Sequence, residues 1–416
     1  MPNFCSKCPL KNSGTGDPVG PETHGDDQVI IIGDFPGMHE TTEGRPFVGP
    51  GGLELQRALD RLEIKRFQCF LTNAISCRPM KNDLEACNVQ ISRKNKREEK
   101  KAKVEKTDFT RILKPVDACK GRLMRELKAT GLTRVICLGK AAAKVIRQKE
   151  TSVMAIRGGC EEIQAPWDPE VTIQVAYTMH PEWVMRQPAY REVFFHDMRK
   201  AFRFFEGDLE WKDPKIIRTH DPKLIAKYFA KWAQKKEPVA YDLETDAIDP
   251  LTAQVRCVGI GTGDECLVIE IQSIDGTPLT TPEEEKEIKE MLRDFFDSSG
   301  TPILGHNAGQ YDRLVMEKWA GFTPKLTCDT ILLHLLADNE LPHNLGFVSS
   351  FYTDNPEAWK ANHTAVQAKT DEELHIYCGK DVAVTARIAR PLARDVKGRC
   401  QQHLLSREHT LQYLGT

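Results

Sequence analysis

The chain has 416 residues, 28% of them charged, and its charges balance to a formal net value of −2. That length suffices for two or three domains with cores of their own, and the balance excludes a global cationic field, so any nucleic-acid contact has to come from local basic patches. Uninterrupted apolar runs of about 20 residues, the length of a membrane helix, are lacking, and the opening Met1–Cys5 shows no basic stretch leading into an apolar one, so neither a membrane span nor a secretory leader is expected.

Apolar runs alternate with helix-period segments along the whole chain, the pattern of α/β architecture. In the first half the expected strands are Val29–Ile32, Cys69–Leu71, Val135–Leu138 and Ile173–Tyr177. The first runs into the turn Gly33-Asp34-Phe35-Pro36-Gly37. The glycine- and proline-rich stretch Glu43–Gly52, with Phe47 at its centre, leads into a helix over Leu53–Leu62. The second strand delivers Asn73, and the fourth precedes His180-Pro181. Ligands of open α/β sheets bind beyond the carboxyl ends of the strands, so Asp34, Phe47, Asn73 and His180 are candidates for lining one pocket. An acid, an aromatic plate, an amide and an imidazole are what recognition and release of a flipped base require. Singly, Asn73 reads as a turn residue and His180 as a core histidine; the ordered set reverses that reading.

These motifs resemble those of the family 4 uracil-DNA glycosylases: Gly-Glu-x-Pro-Gly, Gly-x-Pro-Phe-Val-Gly, Thr-Asn before Cys-Arg-Pro, and a late His-Pro. The resemblance spans residues 1–205, Arg157-Gly158 included. It implies a three-layer α/β/α domain with a central parallel sheet, in which Phe47 stacks on uracil and Asn73 pairs with its polar edge. His180 would donate to the uracil anion, and Asp34 would stabilise the sugar cation or position water. Two departures stand out. Asp34 replaces a glutamate and is one methylene shorter, and Glu182 replaces a serine and brings negative charge near the departing anion. They leave binding without excision as an open alternative.

Thirteen cysteines over so long a chain suit thiols in a reducing, cytoplasmic compartment better than a disulfide framework. Cys5-x-x-Cys8, Cys77 and Cys119 form a candidate quartet, with Cys87 as a rival fourth member. Four thiolates suit zinc or an iron–sulfur cluster, and spacing does not choose. The resemblance implies a structural [4Fe–4S] cluster, with an insertion of about 25 residues after Cys77. Part of that insertion, Ser92–Lys106, holds eight basic and three acidic residues. It reads as disordered chain or a solvated helix, suited equally to a phosphate backbone and to solubility.

A boundary is expected at Gly207–Pro214, after a helix over Tyr190–Phe205, giving domains 1–208 and 215–395. Strands of the second half are expected at Val239–Leu243, Val255–Gly261, Leu267–Ile271 and Pro302–Leu304, with a further strand–helix pattern opening at Ile216. Asp242 and Glu244 are i and i+2 on a strand and share a face. Such close carboxylates repel unless a cation lies between them. Next comes Asn307-Ala-Gly-Gln-Tyr311-Asp312 at a strand end, and then Tyr377-Cys-Gly-Lys-Asp381, whose first and last residues share a helix face. Carboxylates are the ligands Mg²⁺ and Mn²⁺ prefer, and two such ions about 4 Å apart cleave phosphodiesters.

This ordered set resembles the proofreading 3′→5′ exonuclease domain of family A DNA polymerases and its RNase D-like relatives, over residues 215–395. The resemblance implies an RNase H-like fold with a mixed sheet, two Mg²⁺ or Mn²⁺ ions on Asp242, Glu244, Asp312 and Asp381, and a water oriented by Tyr377. Asn307 would support the site, and Asp329 would stand behind the ligands. The pairing of the two halves resembles the N-terminal part of some phage family A polymerases. It implies DNA as partner, a bacterial or phage-infected cytoplasm, and a DNA polymerase as a further domain or a separate subunit. A helical tail is expected over residues 396–416.

Overall fold

Every position of Val29–Gly33 is buried, as in a parallel strand covered on both faces. In the computed structural model, which describes residues 5–12, 15–105, 111–362 and 368–399, this strand (β1) sits inside a five-stranded sheet. The others are β2 Cys69–Asn73, β3 Arg134–Leu138, β4 Cys160–Ala165 and β5 Asp168–Thr178, in the order β2-β1-β3-β5-β4. β2, β1, β3 and β5 run parallel, and β4 pairs antiparallel with β5 at the edge. The sequence did not announce β4. Only its end residues Cys160 and Ala165 are buried, and those between alternate between partly and fully exposed, so it lacks the apolar run that marks its neighbours. The helix expected at Leu53 begins at Pro50, where a proline at the first helical position forfeits no hydrogen bond. Leu55, Leu59, Leu123, Met124 and Phe194 from the surrounding helices fill the core. Ser92–Glu105 belongs to the helix Leu84–Glu105, in which Ile91 and Asn95 are buried. Lys106 lies outside the described residues.

A second sheet joins β6 Lys215–Thr219, β7 Val239–Thr245, β8 Val255–Gly261, β9 Glu265–Glu270, β10 Ile303–Gly305 and β11 Cys328–Asp329. Its order is β11-β10-β7-β8-β9-β6, with β7–β8–β9 antiparallel and the remaining pairs parallel. β7 shows what strand alternation accomplishes. Val239, Tyr241 and Leu243 join an apolar cluster with Phe229, Trp232 and Phe295 from the helices Pro222–Lys235 and Pro282–Ser298. Ala240, between them, joins a separate cluster with Val382 and Ile388 of the long helix Asp371–Arg399. The even-numbered residues of β7 therefore face that helix.

By their contacts the residues form two units: Met1–Leu209 with Pro356–Ala358, and Glu210–Asn355 with Trp359–Thr416. The tail expected from residue 396 begins inside the helix Asp371–Arg399, and from residue 400 it lies outside the described residues. Among the described residues no helix is long and apolar enough to cross a membrane.

Candidate active sites

Asp242 and Glu244 occupy even positions of β7 and so point toward the helix Asp371–Arg399, which carries Tyr377, Cys378 and Asp381. Close approach of that helix depends on Gly259, the β8 partner of Asp242. A Cβ there would lie 2.7 Å from the Cys378 Sγ and 2.8 Å from a Val382 methyl. As a result, ligand atoms of Asp242, Glu244 and Cys378 come within 4.8 Å of one another. Asp312 arrives in the first turn of the helix Tyr311–Ala320. Glu244, Asp312 and Asp381 are buried, and the charges of Asp312 and Asp381 reach the two acids of β7. Burial, then the charges of Asp381 and Asp312, raise the Asp242 carboxyl well above its usual range. Burial, then Asp242 and Asp381, do the same to Glu244. Burial pushes Asp312 up to about 7. A set of crowded carboxylates that resists ionisation by itself is what divalent cations relieve, so these residues fit the expected ions.

The loop between β10 and the Asp312 helix is held from behind. Asp329 accepts from the Asn307 N–H at 2.8 Å and the Gly309 N–H at 3.3 Å, and also caps its own helix through Ile331 at 3.1 Å. Asn307 takes a left-handed φ of 63° with an exposed side chain. Its visible part in the site is this backbone turn rather than its amide group. Tyr311 bonds the Thr245 hydroxyl at 2.6 Å, tying the Asp312 helix to the end of β7. The motif reading missed two residues. The Trp359 indole N–H donates to Asp381 at 3.0 Å, and the Lys360 ammonium donates to Asp381 and, at 2.5 Å, to the Tyr377 hydroxyl. A tryptophan–lysine pair opening a four-residue helical turn carries no periodic signal that singles it out.

In the first unit, Phe47, Asn73 and His180 line one cavity of about 240 Å³, together with Arg78, Asn82 and Glu182. Phe47 holds φ 53°, an unfavourable value for a non-glycine residue. Arg66 stabilises it by donating to the carbonyls of Pro46 at 2.7 Å and Phe47 at 3.1 Å, while Glu22 accepts from the same guanidinium at 2.8 and 2.9 Å. Glu40 pins two further walls through the N–H groups of Gly37 at 3.0 Å and Gly49 at 2.7 Å. The His180 Nδ1 accepts from the Glu182 N–H at 3.3 Å. That nitrogen is therefore unprotonated, and the neutral ring carries its proton on Nε2. Nε2 is buried and has no hydrogen-bond partner among the described residues. Burial lowers the His180 pKa to about 4. His180 is thus a neutral donor waiting for an acceptor.

Asp34 departs from the expected picture, because it is not among the residues lining this cavity. It sits at the switch point between β1 and β3, where its Oδ1 accepts from the N–H groups of Ala141 at 2.7 Å and Ala142 at 3.1 Å, in the first turn of the helix Lys140–Arg147. Gly139, at φ 103°, makes room for it. Burial nonetheless raises its pKa to about 6, against the lowering by those N–H groups. Arg157 pairs with the buried Asp197, which also accepts from Thr178 at 2.7 Å.

The structure brings Cys5, Cys8, Cys77 and Cys119 together. After burial, the charges of Cys119, Cys8 and Cys5 push the Cys77 thiol up to about 11, and those of Cys119 and Cys5 push Cys8 to about 11. Cys87 instead feels Asp83. Gathered thiols, two of them, Cys8 and Cys77, resisting ionisation, fit a cationic metal group, which would favour thiolates.

The fold and sites define a two-domain α/β enzyme, and comparison with known proteins agrees. Residues 21–204 match the uracil DNA glycosylase superfamily and residues 217–397 match the 3′-5′ exonuclease family. A type-4 uracil-DNA glycosylase of Pyrobaculum aerophilum is 31% identical over 214 residues, half of this chain and 90% of that one. The chain belongs, through its first half, to the type-4 uracil-DNA glycosylase family. Its second half is a 3′-5′ exonuclease domain. DNA polymerase I of Synechocystis is 27% identical over 196 residues, 44% of this chain and 19% of that polymerase. Among solved structures, Escherichia coli RNase D shares 15% identity over 49% of this chain and 52% of that one, with a TM-score of 0.34.

Proposed function

We propose that the protein is a DNA repair and replication enzyme that joins uracil recognition or excision to proofreading-type 3′→5′ exonuclease activity. The observation that carries it is the convergence of Asp242, Glu244, Asp312 and Asp381, most of them far apart in sequence, on one cluster where β7 meets the helix Asp371–Arg399. Two Mg²⁺ or Mn²⁺ ions held there would activate the attacking water and stabilise the leaving oxygen. Around them, the Tyr377 hydroxyl orients the water, Asp381 and Glu244 fix its line of approach, and Asp329 holds the loop that delivers Asp312. DNA digestion that stops with EDTA and returns with Mg²⁺ tests this. Faster loss of matched RNA than DNA would favour an RNA-trimming enzyme.

In the first pocket, Phe47 stacks on the flipped base, Asn73 reads its polar edge, and the His180 Nε2–H donates to the anion that forms as the glycosidic bond breaks. Asp34 acts from the switch point, as a carboxylate stabilising the sugar cation or holding water. A second reading, a uracil-binding module without excision, is favoured by the engagement of Asp34 with the helix Lys140–Arg147 and by Glu182 at the cavity. Release of free uracil from a uracil-containing oligonucleotide, run in EDTA to silence the nuclease, decides between them.

The cysteine quartet serves a structural [4Fe–4S] cluster. Thiolates around one tetrahedral zinc, at about 2.3 Å from the metal, would stand about 3.8 Å apart. Among the described residues, the only set of three or more potential ligands within 4.8 Å is Asp242, Glu244 and Cys378. The wider spacing of the quartet supports a cluster. We also place the protein in a bacterial or phage-infected cytoplasm, serving a family A DNA polymerase.

A further inference from the structure

Both carboxylate oxygens of Asp381 are taken by groups from the helical turn Trp359–Asn362. The Trp359 indole N–H donates to Oδ1 at 3.0 Å, and the Lys360 ammonium donates to Oδ2. The same ammonium donates to the Tyr377 hydroxyl at 2.5 Å and stands 4.3 Å from the centre of that ring. An indole offers a single donor and no acceptor, so Trp359 sets the plane of the carboxylate and Lys360 closes the other side.

We propose that Lys360 is the resident cation of the nuclease site, a positioning residue that clamps Asp381 to Tyr377 and offsets the acid cluster before divalent ions arrive. This rests on the nuclease reading. Clustered carboxylates repel one another, and an ammonium bonded to one of them offsets part of that repulsion. It does not replace the divalent ions, because an ammonium has only donors and cannot coordinate a water or a phosphate oxygen as a metal does. Removing its charge therefore has two effects of opposite sign. The cluster becomes more negative and attracts divalent ions more strongly, while Asp381 and Tyr377 lose the group that holds them in register.

The test uses the full chain with Lys360→Met, which keeps the stem and drops the charge, and Lys360→Arg, which keeps the charge. Mn²⁺ affinity is measured by calorimetry without DNA, and single-strand digestion is measured at saturating Mn²⁺. In K360M, Mn²⁺ binding tightens about tenfold and kcat falls about 100-fold, the scale of losing one positioned donor, while KM for DNA stays within about twofold. K360R recovers part of kcat. Three results would overturn the proposal: unchanged Mn²⁺ affinity in K360M; kcat at or above wild type, which would make Lys360 a plug that metals displace; or equal loss of Mn²⁺ binding and melting temperature in both variants, the mark of a mere strut. A wild-type protein that binds Mn²⁺ but digests no DNA would sink the nuclease reading instead. In that event the Mn²⁺ comparison still decides the role of Lys360.

Discussion

Asp242 lies directly opposite Gly259 across the β7–β8 ladder, and the absent side chain of Gly259 is what lets the Asp381 helix reach the acids of β7. Gly259→Val would push that helix off the sheet, an overpacking that costs about 1–3 kcal/mol, and would separate Asp381 from Asp242. The expected result is loss of exonuclease activity with uracil release intact, both measured on one preparation. A fully active nuclease would contradict the close approach.

Asp242→Ala removes an acid that feels Asp381 and Asp312 and that acts on Glu244. Digestion of single-stranded DNA is expected to disappear at any Mg²⁺ concentration, while base release persists. Equal loss of both activities would mean one shared site.

Uracil release is expected to rise with pH through about 6. Asp34 must be ionised to act, and burial holds its pKa near 6. His180, held to about 4, stays neutral across that range and adds no falling limb. Rates from pH 5 to 8 under EDTA check this, and Asp34→Asn should flatten the rise along with most of the rate.

Stability follows the histidines with the opposite logic. His180 and His196 both titrate near 4 in the folded chain against 6.5 when unfolded, because burial disfavours their charged forms. A base with a depressed folded pKa contributes stability above its unfolded value, and that contribution is lost as pH falls through the folded one. Asp34 acts with the other sign, since its raised pKa gives a contribution that is lost as pH rises through about 6. Asp242, Glu244 and Asp312 are raised in the same way and also oppose the histidines, so the test is a difference: the urea midpoint of the double variant His180→Gln, His196→Gln should gain on that of the wild type as pH falls from 6.5 to 4. An identical slope would refute the burial of these rings.

Purified protein is expected to be brown, with absorbance near about 400 nm typical of iron–sulfur proteins. Cys119→Ala should lose the colour and Cys87→Ala should keep it. Stoichiometric zinc in a colourless sample would overturn the cluster.

Much of the nuclease site was legible because its chemistry follows local periods. Asp242 and Glu244 share a strand face at i and i+2, and Tyr377 and Asp381 share a helix face at i and i+4, whatever the rest of the chain does. The glycosylase pocket was less legible. Phe47, Asn73 and His180 meet at one cavity, yet Asp34 turns to the first turn of the helix Lys140–Arg147, a choice made by how β3 and its following helix pack beside β1.

The amino-acid order thus marked most of the strands, several helices and the candidate ligand types by itself, since alternation, capping and turn residues act over a few positions. Only the tertiary structure decided that Trp359 and Lys360 grip Asp381, that Cys378 stands beside Asp242, and that Cys119 lies close enough to act on Cys8 and Cys77 while Cys87 answers to Asp83. Those outcomes depend on which elements come to touch, and contact between distant segments leaves no mark in local spacing.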